Sequence, residues 1–75
     1  MEGLEGVVER VTFHSEETGY TVAKLKVPRE KQLVTVVGEM AGVYVGESIQ
    51  LKGYWANHPK HGFQFQSRTY QKIMP

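Results

Sequence analysis

The stretch that decides the fold is Gly53-Tyr54-Trp55-Ala56-Asn57-His58-Pro59-Lys60-His61-Gly62-Phe63-Gln64-Phe65. It reads as two short apolar strands joined by a polar turn. Upstream, Ile49, Leu51, Gly53 and Trp55 fall at every second position with Gln50, Lys52 and Tyr54 between them, the period of a strand with one buried face. Downstream, Phe63 and Phe65 alternate with Gln64 and Gln66. Between the runs, Pro59 fixes one φ and Gly62 accepts a positive one, so the chain can reverse there. The tip of this hairpin has two readings. Trp55 is in register with Ile49 and Leu51, which argues for the core, where large aromatic rings contribute most. A hairpin tip on a rigid sheet is also a usual place for recognition residues, with Tyr54, His58, Lys60 and His61 as the candidates.

Working outward, the same periodicity recurs. Residues 4–13 hold Val7, Val11 and Phe13 on one parity and Leu4 and Val8 on the other, so a long first strand with a bulge or bend near Gly6 is expected. His14-Ser15-Glu16-Glu17-Thr18-Gly19 is a turn. A second strand over Tyr20–Val27 puts Thr21, Ala23, Leu25 and Val27 on an apolar side and Tyr20, Val22, Lys24 and Lys26 on an increasingly basic one. After the charged loop 28–32, Leu33 to Val37 is a β-branched run too short for a helix, its buried parity open. Residues 39–46, with Gly42 and Gly46, read as a loop, and a last strand runs from Phe63 to about Gln71. Five short strands with little room for helix predict an all-β domain: a small five-stranded Greek-key barrel of the OB type, with an SH3-like barrel as the alternative. Its core is expected to include Ile49, Leu51, Trp55, Phe65 and either Val22 or Ala23.

Composition narrows the function. The 75 residues make one domain, 40% hydrophobic, with eight aromatic residues and no cysteine, so packing rather than disulfides or thiolate-bound metal must hold it. No run approaches the roughly 18 apolar residues of a membrane span, and Met1-Glu2-Gly3-Leu4-Glu5 is unlike a secretion signal. A cytoplasmic location is expected. The net charge of +1 divides into −4 over residues 1–23 and +5 over residues 24–75. A basic face of that kind is the footprint of a polyanion binder, or simply solvated charge. No glycine is followed directly by lysine, which excludes a phosphate-cradling Gly-x-x-x-x-Gly-Lys-[Ser/Thr] loop. There is no aspartate, and the adjacent Glu16 and Glu17 of a turn point apart, so no hydrolytic carboxylate pair is implied. A zinc site from His14, His58 and His61 has no support from their spacing.

Four segments together resemble a known family: residues 4–22, LEGVVERVTFHSEETGYTV; Val34-Thr35-Val36-Val37-Gly38; Gly46-Glu47; and Gly53 through Phe65. Their order is similar to the N-terminal domain of RecD-like ATP-dependent DNA helicases, the exodeoxyribonuclease V alpha subunit or RecD/TraA type. The resemblance covers nearly the whole chain, with Ser15, Thr18, Val45, His61 and Phe63 departing from the residues common there. It implies an OB-fold domain, the N-terminal fragment of a longer bacterial helicase of DNA repair and recombination that unwinds 5′ to 3′ with ATP and magnesium. It carries no catalytic residue, cofactor or metal onto these 75 residues. Two functions then compete. In one, the domain binds single-stranded DNA, with Lys24, Lys26, Lys60 and Arg68 meeting phosphates and Tyr20, Tyr54 and His58 stacking on bases. In the other it is a docking or structural module for the remaining helicase domains or for single-strand binding protein. An independent enzyme is disfavoured for want of a catalytic constellation.

Overall fold

The computed structural model describes residues 1–60 and 62–73. Five strands, β1 (Glu2–His14), β2 (Tyr20–Lys26), β3 (Val34–Glu39), β4 (Ser48–His58) and β5 (Gly62–Lys72), close into a barrel in the order β1-β2-β3-β5-β4. All neighbours are antiparallel except β3 and β5, which meet in parallel at Val36↔Phe65 and Val37↔Gln66. This is the five-stranded barrel expected of an OB-fold. Among the described residues there is no helix, and hence none long and apolar enough to cross a membrane.

β1 is long because it serves two neighbours: Glu2–Val7 pair with β4, and Val7–His14 pair with β2. Gly6 lies where the strand passes from one to the other. A Cβ there would overlap the Lys26 carbonyl oxygen and stand 3.0 Å from Leu25 Cγ, so only glycine lets the two main chains come this close. The bulge expected at Gly6 is placed elsewhere. Register shifts fall between Val8 and Arg10 and between Val11 and Phe13, and they reassign the faces: Val8 is buried and Val11 half-buried, whereas Val7 and Phe13 are exposed. An inserted residue moves everything after it to the other side.

The inward residues of β2, Thr21, Ala23 and Leu25, are at most 1% exposed, as the alternation predicts. They meet Val8, Val36, Ile49, Leu51 and Phe65 in one core. Trp55 is not part of it. β4 pairs with β1 only as far as Gly53, and β5 reaches β3 only at Phe65 and Gln66, so residues 54–58 pair with 62–66 of β5 alone and carry the hairpin past the barrel as a projecting arm. Trp55 lies on that arm, 39% exposed, edge-on to the buried Phe65 with ring centroids 5.2 Å apart. The parity was right; the barrel ends before the tryptophan.

The loop 40–47 closes one end of the barrel with Met40 and Val43, both buried. It is tied to β1 by Gly46 N–H to Val8 C=O (2.7 Å) and Val8 N–H to Glu47 C=O (2.9 Å), and the Tyr70 hydroxyl donates to the Ala41 carbonyl. The Glu47 carboxylate accepts the Tyr44 N–H at 2.6 Å and pairs with Lys72 Nζ at 3.0 Å, joining the loop to the end of β5. These partners, the Tyr44 N–H first, hold the Glu47 pKa below its ordinary value. A carboxylate whose pKa is lower when folded contributes stability above its unfolded pKa, and that contribution is lost as pH falls through the folded value. Wild type is therefore expected to lose melting temperature more steeply than Glu47→Gln as pH falls below the ordinary glutamate pKa, in parallel thermal melts. Equal slopes would remove Glu47 from the account.

Candidate nucleic-acid interface

The outward residues of β2 and β3, paired as Val22↔Val37 and Lys24↔Thr35, form a shallow floor. Thr12 of β1 borders it, its hydroxyl donating to the Val22 carbonyl at 3.1 Å. The arm supplies the facing wall through His58 and Gln64, and Tyr20 completes the lining. Gln64 is 9% exposed despite its polarity, because it sits at this junction of arm and barrel. The Lys24 ammonium donates to Thr35 Oγ1 at 2.5 Å, which holds the charge over the floor. Tyr20 is 42% exposed and leans on Phe13 at 6.2 Å between centroids, which leaves ring surface open. At the tip, the Lys60 N–H donates to His58 Nδ1 at 3.1 Å and orients that imidazole.

Of the seven residues proposed from sequence, Tyr20, Lys24 and His58 are thus brought together. Lys26 shares their side of β2 but borders a different depression, with Glu5, Gly6, Val7, Pro28, Ser48 and Ile73. Tyr54, 50% exposed, stands on the arm opposite Gln66 and outside the groove lining. Arg68 is exposed where β4 and β5 shift register between Lys52 and Gly53. Lys60 is exposed in the turn itself, while His61 lies outside the described residues. Thr12, Val22, Thr35, Val37 and Gln64 were missed. Val22 and Val37 were unremarkable as β-branched strand residues, and only the pairing of β2 with β3 shows that they share a floor.

No group of three potential ligands suited to a metal ion occurs among the described residues. His14 Nδ1 lies 2.9 Å from Thr21 Oγ1, and that hydroxyl itself donates to the Gly19 carbonyl. His14 is therefore the donor in that contact, with Nδ1 protonated.

Open grooves on strands β2 and β3, walled by the β4–β5 loop, are where OB-folds take oligonucleotides. The sequence profile described as "ATP-dependent DNA helicase YrrC, OB-fold domain" matches residues 1–75. The chain belongs to that family. In the YrrC OB-fold family the domain is a component of a DNA helicase, which makes an auxiliary helicase domain the supported role for this chain. No solved structure matches the chain.

Proposed function

We propose that this domain guides single-stranded DNA to a RecD-like motor that moves 5′ to 3′ in the cytoplasm, with ATP and magnesium handled by other domains of that helicase. One observation carries the reading: Lys24 is fixed over the floor of a groove whose lining includes the Tyr20 and His58 rings. The ammonium neutralises one phosphate, the rings offer faces to bases, and Thr12, Thr35 and Gln64 supply hydrogen-bonding groups beside them. Few basic side chains are gathered, so binding is weak and shallow in salt. Each phosphate neutralised on a single strand steepens log K against log salt by about 0.7. With Lys24 in the groove and Lys60 at its tip, the expected slope is about 0.7 to 1.4. Fluorescence anisotropy of a labelled oligonucleotide at low and moderate salt measures it. Lys24→Gln should lower the slope by about 0.7 while melting stays near wild type. Absence of any anisotropy or amide-shift change at large oligonucleotide excess and low salt would remove DNA from the function.

A second reading, docking onto a neighbouring domain of the same helicase, is favoured by the apolar depression of Val7, Pro28 and Ile73, rimmed by Glu5 and Lys26. Val7 and Ile73 are each 37% exposed there. Val7→Lys in the whole helicase would then make this domain easier to release by limited proteolysis without altering oligonucleotide binding. Unchanged cleavage would count against docking at this face.

A further inference from the structure

Past Lys24 and Thr35 the groove opens onto a second surface, bordered by Glu30, Leu33, Trp55 and Phe63. Single exposed apolar residues are ordinary on protein surfaces. Here three lie together: Phe63 is 70% exposed, Leu33 43% and Trp55 39%. The register explains the grouping. Trp55 is opposite Phe65 on the arm, so Phe63, two residues before Phe65, is its diagonal neighbour on the same face, a spacing that aromatic side chains span. The edge-on contact with the buried Phe65 orients the indole, leaving the rest of its surface toward the shelf. The ring pair is therefore prearranged.

We infer that Trp55 and Phe63 are a base-stacking shelf continuing the groove, so that a single strand held at Lys24 lays its next bases on these two rings. The inference rests on the DNA reading above and adds residues that the sequence assigned to the core or left unassigned. Continuity selects the occupant: Lys24 and Thr35 border both surfaces, so a strand whose phosphate meets Lys24 reaches the shelf without leaving the protein. Charge selects its orientation. The Glu30 carboxylate borders the shelf and repels phosphate, which favours bases inward and backbone toward water. Stacking on an aromatic ring is tolerant of sequence because every base has a π-face, which suits a helicase domain.

The chain has one tryptophan, so its emission reports this position alone. The probes are an oligothymidylate of about twelve nucleotides, within the OB-fold site-size range, and an abasic deoxyribose-phosphate oligomer of equal length. The oligothymidylate is expected to quench Trp55, and the abasic oligomer to bind through Lys24 without quenching. Phe63→Ala, at an exposed site where folding is spared, should weaken oligothymidylate binding by roughly 5- to 150-fold, the range for loss of one stacked base. Phe63→Tyr should restore it. Binding by anisotropy with unchanged Trp55 emission and an unaffected Phe63→Ala would overturn the shelf and leave the groove standing. Equal quenching by the abasic oligomer would overturn it too, since the contact would then be with backbone. No binding of either probe would end both readings.

Discussion

Replacing Gly53 with alanine should leave the chain without a stable fold. At this position β4 faces β5 across the register shift, and a Cβ would overlap the Gln66 carbonyl oxygen while standing 2.9 Å from Gln66 C and 3.1 Å from Ser67 Cα. All three atoms are main chain and cannot swing aside as a side-chain tip would. Relief requires the two longest-paired strands of the barrel to separate, and Gly53 is itself buried. The cost should exceed about 4 kcal/mol, the range reserved for such mechanisms. That is comparable with the whole stability of a small domain, roughly 5 kcal/mol. Loss of amide dispersion in the NMR spectrum is the readout. Gly3→Ala is the control: its nearest neighbour would be Leu51 O at 3.8 Å, an ordinary contact, and melting should stay near wild type. A Gly53→Ala protein melting within a few degrees of wild type would refute the close approach.

The second large effect is at Phe65, and it reverses what the sequence implies. From alternation alone, Trp55 is the residue whose truncation should cost about 3–5 kcal/mol. In the barrel that place belongs to Phe65, which is 0% exposed and the largest fully buried side chain. Phe65→Ala leaves a void enclosed by Val36, Leu51 and their neighbours and should cost about 3–5 kcal/mol. Trp55→Ala leaves an open notch on the arm that water fills, and should cost roughly half as much. Chemical denaturation of the two variants side by side decides the order. A larger loss at Trp55 would mean that the arm, rather than the barrel, holds the core.

Local periodicity made most of the strands readable. The period of two over Ile49–Gly53 and Thr21–Leu25 names the buried faces correctly, and the glycines expected to end the two reversals, Gly19 and Gly62, both adopt positive φ. What escaped is long-range. Alternation says which way a side chain points but not how far the barrel extends beneath it, and Trp55 lies past the last partner of β4 on β1. The register shifts of β1 fall after Val8 and after Val11, so Val11 turns inward and Phe13 outward although the two share a parity, which the alternation alone does not show. β3 was expected at 33–37 and spans Val34–Glu39, with Val36 and Val37 both buried because the arm covers its outer side. The groove suffered most. Tyr20, Lys24 and Lys26 share a parity, yet only the first two are under the arm, and Arg68 sits at a register shift that no single-strand pattern reveals.

The parallel junction of β3 with β5 consists of two register pairs, against six between β1 and β4. Backbone amides along that seam should consequently exchange with solvent deuterium through a partial opening that costs less than global unfolding. Such an opening parts β2–β3 from β4–β5 like the staves of a cask at one joint, with the β1–β2 and β1–β4 ladders still intact. Lys24 and Thr35 ride on one side of the joint and His58 and Gln64 on the other. The weakest closure of the barrel is thus also the hinge of its groove, and a strand bound across it acts as a staple.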